Sequence, residues 1–583
     1  MPVGARRGIV RKVPAPLRSV VKSSFTSVDA IRSATVVWAM GGRRNGPRHS
    51  AASMRRVVRV KGRHVHALIV EGATAWAAQA RNLHILVATL EAGGIEYFCI
   101  RGATKDVPTV AVPAGLRESA EQMLQIAFGQ TPGYVGSASA AESGMRPGED
   151  DKSWRQLRKH DALRVAWYVT DPTQELVFGA DQGCDLEFWT EDEDRLVAPR
   201  PNRVVEEVRA DAPRHTVPQA LFALVPGSYS TGTAQTVAEF TQPLAEDHLF
   251  PIDVVYTWVD DSDPRWSAER DAARAGRPGA PPQALHAQAA NDARFTSRDE
   301  LRYSLRSLHQ YAPWVRTVYL VTAGQVPAWL DTEAPGIRVV DHREIFSEPG
   351  ALPTFNSHAI ESQLHHIEGL SEHFLYLNDD VFFGRPLGAE RFFHTNGLTK
   401  FFQSKALIPS GPADTEDLPV NAAGKNSRAL IERSFGTRIA QKMKHTPHPL
   451  RRSILADIEL VYADEHRRTQ HSRFRSPEDV PIASSLHHYY GFHTGRTTVG
   501  NIRYQYIDLA ADQARRRLDN LLAHRNFDTF CLNDTVEHAD PDAQERMVRN
   551  FLDTYFPVPS RFERVDQDED RAVGRPGKAE IRR

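Results

Sequence analysis

The 583-residue chain predicts an α/β fold. Over about residues 250–380, short β-rich runs alternate with helical patterns, an order that builds a largely parallel sheet covered by helices. Two of those runs stop at acidic or amide residues, and the carboxyl ends of strands are where such sheets bind ligands. Hydrophobic residues make up 41% of the chain and charged residues 25%, which is enough apolar material for more than one core.

Residues 1–60 form a basic arm. Leu17, Val20, Val21, Phe25, Val28 and Ile31 recur there at near-helical spacing. One reading is an amphipathic helix making peripheral contact with an anionic membrane surface, and the plainer one is a solvated arm. Residues 61–245 read as a smaller accessory α/β domain. Val58–Val70 alternates like strand, His84–Leu90 is a short apolar run, and Glu96–Ile100 follows a Gly-Gly turn as a strand. Leu116–Phe128 has helical spacing, and Gly133–Asp151 reads as a loop. No catalytic constellation stands out, so scaffolding, acceptor binding or assembly into a homo-oligomer is expected of this part.

The character changes at Pro251. Ile252–Val259 is a strand that ends in the turn cluster Asp260–Pro264, and a polar stretch over 267–290 reads as a loop. Glu300–Tyr311 is helical, with Leu301, Leu305 and Leu308 on one face. Val318–Thr322, Arg338–Asp341 and Phe374–Leu377 are strands, and Ala359–Ile367 is a helix. A catalytic domain over 250–563 and a charged tail over 564–583 complete the division.

The net charge of -1 gives no bias toward nucleic acid. Three widely spaced cysteines and no CxxC pair support neither a disulfide framework nor a zinc ribbon, and suit a reducing compartment. No apolar run approaches the ~18–20 residues of a membrane span, so a cytoplasmic protein is expected, with the arm allowing peripheral placement at the inner membrane face.

Several motifs carry chemistry. In Leu377-Asn378-Asp379-Asp380 an apolar strand runs into an amide and two acids, hard oxygen ligands suited to Mg²⁺ or Mn²⁺; a plain Asx turn has the same pattern. Asn356-Ser357-His358 precedes a helix that Ser357 can cap. His358, Glu361 and His365 are spaced to share one helical face, but HExxH is absent and no further ligand is evident, so zinc is not expected. Proline-spaced His445 and His448 can exchange protons near neutral pH, or belong to a surface loop that leads into a helix. Arg475 can clamp phosphate or be an ordinary surface charge. Phe530-Cys531-Leu532-Asn533-Asp534 repeats the pattern of an apolar strand followed by Asn-Asp.

Taken in order, these segments resemble the Stealth proteins, which include bacterial capsular polysaccharide phosphotransferases and the lysosomal-enzyme N-acetylglucosamine-1-phosphotransferase α/β subunit. The resemblance runs through Pro251–Val259, Glu300–Asp380, His445–Asp479 and Cys531–Asp534 with Phe556–Ser560, and leaves the N-terminal 245 residues uncovered. Asp261 stands where the family often has Gly, and the membrane span and inserted modules of the animal enzymes are missing.

The resemblance implies a GT-A-like nucleotide-sugar fold with a divalent metal and catalytic residues at Glu361, Asp380, His445 and Arg475. Asp379, Asp380 and Asp534 are the implied metal set. Tyr256, Thr257, Trp258 and Asp260 would hold uridine and ribose, with Arg302, Arg306, Asn356, Ser357, Asn378 and Asn533 as further substrate contacts. The implied reaction moves a hexose-1-phosphate, N-acetylglucosamine-1-phosphate foremost, from a UDP-sugar donor to a hydroxyl of a glycan acceptor and releases UMP, in capsular or cell-surface polysaccharide synthesis. The competing readings are an ordinary glycosyltransferase that releases UDP and a catalytically silent carbohydrate-binding protein.

Overall fold

The computed structural model describes residues 55–139, 142–223, 232–275, 297–534 and 540–564. The first 54 residues of the arm and the tail after 564 lie outside the described residues. By contacts the chain separates into two compact units. One comprises Met1–Asp247, Gln310–Trp314 and Leu552–Val558, and the other His248–His309, Val315–Phe551 and Pro559–Arg583.

The first unit is α/β, with an eight-stranded and a four-stranded sheet. The central strand Cys184–Asp192 pairs in parallel with Thr109–Pro113 and antiparallel with Ala162–Ala166. Phe98 and Trp189 meet edge to face in its core, 5.2 Å between ring centroids. The alternation over Val58–Val70 is an antiparallel hairpin turned at Lys61-Gly62, both with positive φ. The apolar run His84–Leu90 is the interior of a helix, Ala75–Ala92, with Leu83, Leu86 and Leu90 buried at helical spacing. Thr74 caps that helix, accepting the Ala77 N–H at 3.1 Å. Gly133–Asp151 is not merely a loop. Tyr134–Ser137 is a strand paired with Ala162–Ala166, and the glycines and serines around it mask buried Tyr134 and Val135.

The elements of the second unit that frame the site are, in chain order, β1 (Ile252–Thr257), α1 (Pro264–Ala275), α2 (Glu300–Tyr311), β2 (Val318–Thr322), β3 (Ile337–Asp341), α3 (Ser357–Glu361), β4 (His373–Asn378), β5 (Val381–Phe383), β6 (His448–Arg451), α4 (Arg452–Val461), α5 (Ala463–His471), β7 (Tyr504–Asp508) and β8 (Thr529–Asn533). Its main sheet has the order β3-β2-β1-β4-β6, parallel except for β6. Both faces of this sheet are covered, so β1 and β4 are apolar almost throughout. Asp253 is the buried exception on β1. Its carboxylate takes Arg316 Nε–H at 2.8 Å and the Ser371 N–H at 2.7 Å. The register sets Thr257 of β1 opposite Asn378 of β4, which brings two carboxyl ends together. A second small sheet, β5-β8-β7, starts just beyond Asp380.

Four local expectations are corrected. The polar stretch after Pro264 is helical to Ala275, since Pro suits a first helical position and Trp266 and Arg270 are buried; residues 276–296 lie outside the described set. The helix expected over Ala359–Ile367 ends at Glu361, and a separate 3₁₀ turn holds Leu364–His366, so His358, Glu361 and His365 do not share one face. Asn356, not Ser357, caps α3, accepting the His358 N–H at 3.1 Å. The histidine-proline segment leads into strand β6, which pairs with β4 before α4 begins.

Arg302 and Arg306 do not point at substrate. Arg302 Nε and Arg306 Nη2 both donate to the buried Glu563 carboxylate, at 2.6 and 2.7 Å. Glu563 fastens the end of the described chain onto α2. Removing it takes the counter-charge from a buried guanidinium, since the Arg306 side chain is 9% exposed. Glu563→Ala is expected to lower unfolding stability by about 3–5 kcal/mol in urea denaturation. Arg302→Ala is expected to cost about 1 kcal/mol or less, because that side chain is 35% exposed.

Candidate active site

Beyond Asn378 the chain turns through Asp379 and Asp380 into β5, which pairs antiparallel with β8 so that Val381 faces Cys531. That pairing surrounds Asp380 with donors. His445 Nε2 lies 3.1 Å from Oδ1, while Cys531 Sγ and Asn533 Nδ2 reach Oδ2 at 3.2 and 3.4 Å. Burial pushes the Asp380 carboxyl up, but the His445 charge and the donors on both oxygens hold it below the usual range. Burial pulls the His445 imidazole down, and the Asp380 and Glu361 charges outweigh it, so His445 ends above its ordinary value. Arg475 opposes that rise.

Glu361, at the end of α3, is 4% exposed. Its carboxylate accepts Ser484 Oγ–H at 2.9 Å and Tyr376 O–H at 3.4 Å. The Tyr376 hydroxyl also meets Thr257 Oγ1 at 3.1 Å and receives Asn378 Nδ2–H at 3.3 Å. One phenol thus ties the ends of β1 and β4 to α3. Burial first, then the Glu361 charge, pushes that phenol well above its usual value. Arg475 donates to Ser357 Oγ at 2.8 Å. Its segment is held by Phe474 stacked on Phe355 at 5.3 Å and by the Arg473 carbonyl, which accepts the Phe355 N–H at 2.7 Å. Burial lowers the Arg475 guanidinium against the Glu361 and Asp479 charges. Glu361, Asp380, His445 and Arg475 are therefore one electrostatic cluster, although they come from four separate segments.

Other expected residues fare unequally. Ser357, Asn378 and Asn533 join the cluster through the bonds above. Trp258 and Asp260 are half-buried at the carboxyl end of β1, where Asp260 accepts Ser262 N–H and O–H at 2.9 and 2.6 Å. Thr257 reaches the cluster only through Tyr376. Tyr256 has no exposed surface and its hydroxyl meets Ser304 at 2.8 Å, so it cannot touch a nucleotide directly. Asn356 is equally buried and is spent on the cap and on Asp479, which takes its amide at 2.8 Å. Asp534 Oδ2 pairs with Arg298 at 2.6 Å, while its Oδ1 is buried without a hydrogen-bond partner.

The remaining acids fit a hard divalent cation. Asp379 is pushed well above its usual range by burial and by the Glu300 and Asp380 charges, crowding that a hard divalent cation such as Mg²⁺ or Mn²⁺ would relieve. Cys531 stays a thiol, since burial and Asp380 push it up, which leaves carboxylate oxygens and the His445 imidazole as the donors beside it. Glu300, Tyr376 and Ser484 went unnoticed in the sequence. Glu300 has the signal of opening a helix with an acid, which reads as ordinary capping.

The chain matches all four conserved regions of Stealth proteins, region 1 at 250–277, region 2 at 294–401, region 3 at 444–492 and region 4 at 519–573. It is 45% identical to the exopolysaccharide phosphotransferase SCO6023 of Streptomyces coelicolor over 97% of this chain and 96% of the relative. It is 35% identical to the exopolysaccharide phosphotransferase CpsY of Mycobacterium tuberculosis over 91% of this chain and 96% of the relative. A solved galactosyltransferase, LgtC, overlaps 55% of this chain and 99% of its own at 12% identity with a TM-score of 0.28, too weak a likeness to carry an argument. Among the described residues no helix is long and apolar enough to cross a membrane, and all three cysteines are free and buried. The four matched regions and full-length relatives show that the chain belongs to the Stealth family and is a phosphotransferase.

Proposed function

We propose that the chain transfers a hexose-1-phosphate from a UDP-sugar to a hydroxyl of a glycan in polysaccharide synthesis, with N-acetylglucosamine-1-phosphate as the first group to test. The observation that carries this reading is the convergence of a paired imidazole, two carboxylates and a guanidinium at the carboxyl end of β4. The acceptor oxygen attacks the distal phosphorus of the donor. The bond from that phosphorus to the oxygen bridging to UMP breaks, the hydroxyl proton passes to a base, and UMP leaves.

His445 is the base in this scheme. Asp380 holds its Nε2–H and strengthens the other ring nitrogen, as a carboxylate does behind a catalytic imidazole. Arg475 meets the phosphoryl oxygens with paired N–H donors. Glu361 keeps Arg475 and His445 in place through charge, being too buried to meet a glycan itself. Asp379, with Asp380 behind it, would hold Mg²⁺ or Mn²⁺, which supplies positive charge to the diphosphate oxygens. Asn378, Ser357, Trp258 and Asp260 rim the same end of the sheet and suit contacts to nucleoside and sugar.

With UDP-N-acetylglucosamine and a short glycan, mass spectrometry is expected to find a phosphodiester-linked sugar and UMP; a simple glycoside with UDP would overturn the reading. Arg475→Ala is expected to lower kcat by ~10²–10³-fold, and His445→Ala by ~10²–10⁴-fold, both with unchanged circular dichroism. A base must be neutral to act, so kcat/KM should rise with pH through the raised His445 value. In metal-free Asp380→Asn the anion that raises it is gone and burial remains, so the imidazole titration read by NMR should move to lower pH.

A further inference from the structure

Away from the catalytic cluster, three histidines face one carboxylate. His365 Nε2 and His366 Nε2 lie 2.6 and 3.1 Å from Glu459 Oε2 on α4, and His466 Nδ1 on α5 lies 3.9 Å from Glu459 Oε1. The far nitrogens fix two tautomers. His366 Nδ1–H donates to the Ile345 carbonyl at 2.9 Å, and His466 Nε2–H donates to the Ser362 carbonyl at 2.9 Å, since a carbonyl can only accept. In their neutral forms both rings therefore turn a lone pair toward a carboxylate that also only accepts. A cation between them, either a proton on one imidazole or a metal ion, satisfies all three acceptors. An imidazole whose other N–H is tied to a backbone carbonyl is also the arrangement that metal-ligating histidines adopt.

We propose that His365, His366, His466 and Glu459 form a structural site for a borderline transition ion of the Zn²⁺ class, separate from the catalytic site. Three imidazole nitrogens and one carboxylate oxygen suit tetrahedral Zn²⁺ or Co²⁺ and not Mg²⁺. One ligand atom each from His365, His366 and Glu459 already lies within 4.8 Å of the others, and metal–nitrogen bonds of ~2.0–2.1 Å need tetrahedral edges of about 3.3 Å. The His366 and Glu459 side chains are each 29% exposed, which leaves an entry path. The sequence hid the site because its ligands come from a 3₁₀ turn and two later helices and not from one helical face. A bound ion would clamp the turn that follows Glu361 to α4 and α5, making these four side chains positioning residues.

The test uses the full-length chain stripped with a chelator and titrated with Co²⁺ alone. One equivalent is expected to give the intense visible absorption of tetrahedral cobalt and to raise the melting temperature, with excess Mg²⁺ unable to displace it. His366→Ala and Glu459→Gln should each weaken Co²⁺ binding by more than ~100-fold, whereas Asp380→Asn should keep the spectrum. If either ligand variant fails to fold, the wild-type spectrum and its stoichiometry still decide. Octahedral or absent absorption, or a spectrum lost in Asp380→Asn but kept in His366→Ala, would overturn the site.

Discussion

Asp380 is the constraint on which the site depends. Its carboxylate sits where β4 gives way to β5, and each oxygen is already engaged, Oδ1 by His445 and Oδ2 by Cys531 and Asn533. The backbone contributes as well, since the Asp380 carbonyl accepts the Leu532 N–H at 3.1 Å. Two distant segments, one at His445 and the other β8, are thereby locked onto one residue. A half-buried anion of this kind persists only with such partners, and the anion in turn makes His445 a stronger base.

The second organising element is Tyr376. It lies on β4, the strand that leads into Asp380, and through one hydroxyl links Thr257, Asn378 and Glu361. The parallel register of β1 and β4 makes that link possible, because Thr257 and Asn378 are paired residues. Sheet topology and site electrostatics are thus two aspects of one arrangement. The stacked rings of Phe355 and Phe474 extend it to Arg475, fixing a long cationic side chain by anchoring the residue before it.

Much of this was legible in the sequence. The parallel strands of the main sheet were read nearly to the residue, because β1, β2 and β4 are short runs with apolar centres and sharp polar ends, whereas antiparallel β6 was not. The four clustered residues were located through resemblance to a family; spacing alone left Asp380 even with an Asx turn and Arg475 with a surface charge. What failed was whatever depends on distant partners. Arg302 and Arg306, expected as further substrate contacts, are paired with Glu563, more than 250 residues away. Tyr256 sits in a matching motif but alternation turns it into the core. Asp534 repeats the Asn-Asp pattern and is claimed by Arg298. The helical-face pattern of His358, Glu361 and His365 dissolved because α3 stops at Glu361, and His365 found its partners on α4 instead.

The central claim is that the bond broken lies between the two phosphorus atoms of the donor and not between sugar and phosphate. A UDP-sugar carrying a radioactive distal phosphorus decides it in one assay with purified protein and glycan acceptor. Label recovered in the glycan is the expected result, abolished together with turnover in His445→Ala. Label retained in UDP while the sugar moves to the glycan would contradict phosphotransfer.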